Sequence, residues 1–126
     1  MRLVLDSGAL LALERGDRPM WRRLKAARSA GRPPVTHGGV IGQAWRGAGP
    51  RQALLAMALR GIDVRPLDEA LGRAAGELLA AADSADAIAA AVVLLAEDTD
   101  HIVTSNVGDL RSLAEAAGCH VELIPA

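Results

Sequence analysis

Apolar residues recur along the chain in two patterns: short continuous runs, and longer stretches with helical spacing. The segments Leu3-Val4-Leu5, His101 to Ser105 and Val121 to Ile124 predict buried strands, because strands covered on both faces are apolar without alternation. A very short strand is predicted at Val35-Thr36. A more exposed one is predicted from Ile62 to Leu67, where apolar and charged residues alternate.

Helical patterns separate these strands, and capping residues or glycines mark several of their ends. The predicted helices run from Asp6-Ser7 to about Arg15, Asp17 to Ala30, Val40 to Arg46, Pro50 to near Gly61, Asp68 to Ala82, Asp83 or Ser84 to about Glu97, and Gly108 to Ala117. Strands that alternate with helices predict an α/β fold with a mostly parallel, roughly five-stranded sheet and helices on both faces.

Length and composition narrow the class of protein. A chain of 126 residues has room for one core, so we expect a single domain over residues 1–126. Trp21 and Trp45 are the only aromatic residues, which argues against a base-stacking platform, and the single Cys119 argues against a disulfide framework. No apolar run approaches the roughly 20 residues of a bilayer crossing. With no export signal before Leu3, we expect a cytoplasmic protein without membrane contact.

Charge is distributed unevenly along a chain whose net charge is −1. Residues 14–65 hold ten arginines and Lys25 against three acidic residues, whereas residues 66–126 hold two arginines against eleven acidic residues. This split predicts a basic face suited to a polyanion, and the dominance of arginine favours phosphate, whose oxygens match the guanidinium fork. The alternative interpretation is two solvated surfaces that differ in charge.

Polar residues follow the predicted strands, at the edge where an open parallel sheet binds its ligands. Asp6 follows the first strand, Asp83 and Asp86 precede the most apolar helix, and Asn106 and Asp109 follow the strand that ends at Ser105. Clustered carboxylates suit a hard cation such as Mg²⁺ or Mn²⁺. Each residue alone also fits a helix cap. Asp86, at the start of this otherwise uncharged helix, needs a partner for its carboxylate, and a cation would serve.

Other chemical motifs are absent or incomplete. The chain has no P-loop, Gly38 to Gly42 lacks the dinucleotide spacing, and no serine has the context of a nucleophile elbow. His37, His101 and His120 lack metal-ligand spacing, and for the latter two, at strand starts, we expect structural or exposed roles.

Four segments, taken together, resemble the PIN-domain family, in particular the toxin ribonucleases of VapC type. They occur in the family's order, cover essentially the whole chain, and comprise Val4–Ala12, Gln43–Gly47, Asp83–Ala87 with Ala91–Ala96, and Ile102–Leu110. The resemblance implies a PIN-like three-layer α/β/α sandwich. It also implies a Mg²⁺- or Mn²⁺-dependent endoribonuclease that cuts structured RNA such as tRNA or rRNA, a cognate antitoxin and a homodimer.

By matching positions, the resemblance implies that Asp6, Asp86 and Asp109 bind the metal and act in catalysis. The residues expected to support the site are Asp83, Asn106, Gln43, Ser7 and Thr104. With RNA as the polyanion, the candidate contacts in the basic half are Arg46, Arg22, Arg23 and Arg51, together with Arg28 and Arg32.

Gln43 stands where PIN nucleases commonly have Glu, and its amide adds no negative charge to the site. Three function classes therefore stay open. The first is an active ribonuclease, and the second is an attenuated or non-catalytic PIN-like RNA-binding module, which Gln43 favours. The third is an unrelated α/β interaction or receiver-like domain. A receiver-like domain would want a lysine downstream of its phosphoacceptor aspartate, and the only lysine, Lys25, lies in a predicted helix.

Overall fold

A five-stranded sheet and seven helices make up the computed structural model, which describes residues 1–126. The strands are β1 (Leu3–Leu5), β2 (Val35–His37), β3 (Asp63–Arg65), β4 (His101–Thr104) and β5 (Glu122–Pro125). The helices are α1 (Ser7–Glu14), α2 (Arg18–Ser29), α3 (Gly38–Ala44), α4 (Pro50–Leu59), α5 (Glu69–Ala82), α6 (Ala87–Leu95) and α7 (Val107–Ala117).

The sheet has the order β3-β2-β1-β4-β5, and all neighbouring strands are parallel. Helices α1 to α4 pack mainly against one another, as do α5 to α7, so that the sheet lies between two helical layers. The predicted α/β fold and its three layers are thus confirmed. Because all strands are parallel, their carboxyl ends share one edge. The chain moves from β1 outward to β2 and later crosses to β4, so the topological switch point lies between β1 and β4.

A contiguous core of 27 buried apolar residues surrounds the sheet. β1 is buried along its whole length, as its continuous apolar run predicts. α6 contributes Ala89 to Val93 to the same core, which explains why this helix carries no charge. No single helix is long and apolar enough to cross a membrane; α5 and α6 meet that test only as a pair, bent by 106°.

Three predicted elements have wrong boundaries. The helix expected from Val40 to Arg46 is α3, which begins at Gly38, because His37 caps it, and ends at Ala44. The helix expected from Asp83 or Ser84 begins at Ala87, because Asp86 is the residue that caps it. Asp83 instead ends α5 in a left-handed conformation with φ of 53°. The strand expected from Ile62 to Leu67 is limited to β3, because its partner β2 ends at the residue opposite Arg65.

Gly8 marks a close approach between α1 and the chain beyond β4. A Cβ atom at Gly8 would lie 2.7 Å from the Cβ, Oγ and backbone N atoms of Ser105. We expect Gly8→Ala to lower the free energy of unfolding by about 1–3 kcal/mol, since overpacking outweighs the gain in helix propensity. Gly76→Ala in α5, where nothing lies within 4 Å, is the matched control and should raise it by up to about 1 kcal/mol. Urea denaturation compares the two, and effects of the same sign would contradict the close packing at Gly8.

Candidate metal site at the carboxyl edge of the sheet

Asp6 lies at the centre of the carboxyl edge. It follows β1, and its backbone N–H donates to the Val103 carbonyl of β4 at 3.0 Å. The side chain is only 7% exposed. Its Oδ1 accepts from the Ser7 N–H at 2.8 Å and so caps α1, and its Oδ2 accepts from the Thr104 hydroxyl at 2.8 Å. Asp6 is therefore both a helix cap and a carboxylate held at the topological switch point.

Thr104 connects Asp6 to the start of α7. The buried Thr104 Oγ1 donates to Asp6 and accepts from the Asn106 backbone N–H at 3.0 Å. The Asn106 side chain in turn donates through Nδ2 to Asp109 Oδ2 at 2.8 Å. Asn106 is the cap residue of α7 and Asp109 lies in its first turn, as a helix cap predicts, but the Asn106 side chain makes no capping bond to the backbone of α7. We call the hydrogen-bonded chain of Asp6, Thr104, Asn106 and Asp109 the acidic network.

Asp86 lies at the start of α6, outside the acidic network. Its Oδ1 accepts from the Ala89 N–H at 3.0 Å, and the residue is exposed. The Ala89 N–H is thus a partner for the Asp86 carboxylate, so a lack of other partners is not a reason to expect a cation there. Asp83 is also exposed, at the end of α5, and joins neither Asp6 nor Asp109 through a hydrogen bond.

The two remaining supporting residues lie on helices that begin at the carboxyl edge. Ser7 is the first residue of α1 and contacts the site through the N–H that it donates to Asp6. Gln43 lies in the last turn of α3, and its side chain is exposed to solvent.

Carboxylate oxygens are ligands of the kind that a hard cation prefers, but the carboxylates at this edge are not tightly clustered. No three His, Cys, Asp or Glu side chains lie close enough together to hold one metal ion. Mg²⁺, however, usually keeps several waters and is bound through one or two carboxylates together with substrate phosphates. Asp6 and Asp109 are the two carboxylates that the acidic network connects, and each retains acceptor capacity beyond its recorded bonds.

The predicted RNA contacts lie on several surfaces. Arg22 and Arg23 are exposed on α2. Arg23 lines a cavity of about 390 Å³ together with Arg2, Arg32 and His101. This cavity lies beside the first residues of β1 and β4, at the opposite edge of the sheet from Asp6.

Arg46 has a structural role in addition to its charge. Its guanidinium Nη1 donates to the Gly42 and Trp45 carbonyls at 3.2 and 2.8 Å, and so caps carbonyl groups at the carboxyl end of α3. Arg51 is exposed in the first turn of α4. The ion pairs of the structure involve Arg65, Arg73 and His101, so that Arg46, Arg51 and the α2 arginines have no carboxylate partner.

Gln52 is a buried polar residue that the sequence analysis missed. Its Oε1 accepts from the Arg46 and Gly47 N–H groups at 2.6 and 3.0 Å, and its Nε2 donates to Glu14 at 2.7 Å. Its spacing three residues before Leu55, on the buried face of α4, was the available signal.

His37 is the second buried polar residue that was missed. It ends β2, is fully buried, and has both ring nitrogens in hydrogen bonds, to Gly39 and to Ile88. The signal in the sequence is a histidine at a strand end, directly before two glycines.

His101 is half-buried against Glu122 and His120 is exposed, as expected.

Cys119, at the amino edge of the sheet, has a shifted pKa. Burial raises the pKa of the Cys119 thiol, and the nearby carboxylates of Asp98 and Asp100 raise it further. Cys119 is therefore mostly protonated at neutral pH and is a weak nucleophile.

Removing the Thr104 hydroxyl tests the acidic network. We expect Thr104→Val to lower the free energy of unfolding by about 1–3 kcal/mol, since Asp6 loses a donor and the Asn106 N–H loses its acceptor. Thr104→Ser keeps the hydroxyl and should retain most of the stability. In a double-mutant cycle with Asp6→Asn, urea denaturation at pH 7 should give a coupling energy of about 0.5–3 kcal/mol. Additive effects would contradict the bond.

Comparison of the chain with models of known protein families gives no match, and a search of curated proteins gives none either. The fold and the acidic network therefore carry the assignment of function.

Proposed function

We propose that this chain is a metal-dependent endoribonuclease of the PIN-domain type, which uses Mg²⁺ or Mn²⁺ to hydrolyse phosphodiester bonds in cytoplasmic RNA. The observation that carries the proposal is the acidic network at the switch point of an all-parallel sheet. The resemblance of four segments to VapC-type toxins supports it. A tRNA or rRNA substrate, a cognate antitoxin and a homodimer belong to the same proposal.

In this proposal the acids differ in how they are held. Asp6 would ligate the cation from the end of β1, Asp109 from the first turn of α7, and Asp86 from the residue that caps α6. A bound Mg²⁺ or Mn²⁺ would activate a water and neutralise charge on the scissile phosphate. Thr104 fixes the orientation of Asp6 through Oδ2, and Asn106 fixes that of Asp109 in the same way. Both partners leave lone pairs of the carboxylates free for a ligand.

A second candidate is an attenuated or non-catalytic PIN-like RNA-binding module. Gln43 favours it, because the exposed amide at the end of α3 supplies no charge where the resembling nucleases commonly have Glu. The arginines without carboxylate partners serve RNA binding equally well in both candidates.

Metal binding is the first test of the proposal. We expect millimolar Mn²⁺ to raise the Tm relative to a sample with chelator, because a ligand that binds only the folded state stabilises it. Asp6→Asn should abolish most of the shift, since it removes a ligand charge. Asp100→Asn is the control: it alters a carboxylate that is 5% exposed at the amino edge and should lower the Tm without changing the shift. Identical melts with Mn²⁺ and with chelator would sink the metal site.

The same titration on Gln43→Glu separates the two candidates. If Gln43 belongs to the site, the added carboxylate lowers the Tm of the metal-free protein by repulsion and enlarges the Mn²⁺-induced shift. It should also raise the rate of RNA cleavage. If both Tm values stay unchanged, Gln43 lies outside the site and no longer supports the non-catalytic candidate.

RNA binding should depend steeply on salt. We expect the affinity for labelled tRNA to fall as salt rises, since each phosphate contact releases counterions. The double variant Arg22→Gln/Arg23→Gln should weaken binding and reduce the slope of log affinity against log salt by about 0.7–0.9 per lost phosphate contact. Arg73→Gln is the control, because Arg73 pairs with Glu69 in the acidic half of the chain. A slope that the double variant leaves intact would remove α2 from the RNA surface.

A further inference from the structure

We propose that His37 is a positioning residue: it ties the first turn of α6 to the end of β2 and thereby fixes the position of Asp86 at the carboxyl edge of the sheet. The inference rests on the proposed function, because it assigns Asp86 to the same metal site. It concerns a histidine that contacts neither Asp6 nor Asp86 through a recorded hydrogen bond.

The strand register places His37 next to Asp6. Val4 of β1 pairs with Val35 of β2, so two residues further along both parallel strands Asp6 lies opposite His37. The side chain of His37 is 0% exposed, so it is closed to substrate. A direct catalytic role is thereby excluded, and what remains is its effect on neighbouring elements.

The hydrogen bonds of His37 define a single ring state. The Gly39 N–H donates to Nδ1 at 3.1 Å, so Nδ1 carries no proton in this arrangement. Nε2 then carries the proton and donates to the Ile88 carbonyl at 2.9 Å. One buried imidazole therefore links β2, the start of α3 and the first turn of α6.

The Ile88 carbonyl belongs to the turn that Asp86 caps. Asp86 precedes α6, and its side chain and carbonyl accept from the Ala89 and Ala90 N–H groups at 3.0 Å each. The chain before Asp86 holds it weakly: the recorded bond is from the Asp86 N–H to Ser84 Oγ at 3.4 Å. Apolar packing of α6 on the sheet is not directional, whereas the bond from His37 fixes the position of the first turn.

Gly39 provides the space that this arrangement needs. A Cβ atom at Gly39 would lie 2.9 Å from Cε1 and 3.1 Å from Nδ1 of His37. The Leu67 Cδ2 atom would lie 3.1 Å away, so Gly39→Ala crowds both the His37 ring and the Leu67 side chain without changing the chemistry of the imidazole. It offers a second, independent way to disturb the link to α6.

The test measures Mn²⁺ affinity by calorimetry and amide hydrogen exchange by NMR. His37→Leu removes both hydrogen bonds, and we expect it to weaken Mn²⁺ binding by up to about tenfold. This is the lower end of the effect of losing a group bonded directly to a metal ligand, because His37 acts on Asp86 through the Ile88 carbonyl. His37→Gln keeps one donor and one acceptor and should restore most of the affinity. Asp100→Asn, at the opposite edge, should lower the Tm and leave the Mn²⁺ affinity unchanged, which separates positioning from a general loss of stability.

Hydrogen exchange reports on the link without metal. In His37→Leu and in Gly39→Ala, the amides of Ala89 and Ala90 should exchange faster than in the wild type. The amide of Leu71, capped by Asp68 in α5, should not change. Unchanged exchange at Ala89 and Ala90 overturns the inference, and so does faster exchange with unaltered Mn²⁺ affinity. A wild type that binds no Mn²⁺ overturns the proposed function, and with it the role of His37 at the site, whereas the link to α6 then stands or falls on the exchange data alone.

Discussion

The hydrogen bond from Thr104 to Asp6 connects β4 to the residue that follows β1. The same Asp6 side chain caps α1 and is the central residue of the candidate site. A carboxylate that is 7% exposed would destabilise the fold unless donors replaced the lost water. Ser7 and Thr104 are those donors, and no buried side-chain nitrogen or oxygen atom of the structure lacks a partner. Capping and metal binding are therefore not competing roles for Asp6. The bonds that satisfy the carboxylate in the fold would also orient it for the proposed cation.

The elements that the sequence predicts well are those whose pattern is local. The apolar runs of β1 and α6 and the glycine after α7 are visible without knowledge of the rest of the chain. The start of α6 is different, because Asp83, Ser84 and Asp86 all have the chemistry of a cap. Contact with the sheet selects among them: the carbonyl of Ile88 meets His37, 51 residues away in the sequence, and the turn that contains it begins after Asp86.

The side-chain networks could not be predicted from spacing for the same reason. Thr104 and Asp6 are 98 residues apart, and Gln52 and Glu14 are 38 residues apart. Local spacing suggested that Asn106 and Asp109 belong to a helix cap. The Asn106 N–H donates to Thr104 instead of to Asp109, and the Asp109 carboxylate accepts from the Asn106 side chain. A residue whose type and position are predicted correctly can therefore have a different hydrogen-bond partner from the expected one, because residues distant in sequence compete for its polar groups.

In the proposed function, the cation links the acidic network to the RNA. Arg23 and Arg32 line the amino edge, whereas Asp6 and Asp109 lie at the carboxyl edge. RNA attracted to the arginines is repelled by the carboxylates wherever its phosphates approach them. The repulsion is strongest at the buried Asp6, because solvent screens it least. A divalent cation between phosphate and carboxylate reverses the sign of this interaction. In this proposal the arginines at the amino edge would bind RNA without metal, whereas access of a phosphate to Asp6 would require the cation. Affinity and cleavage would then respond to different parts of the chain.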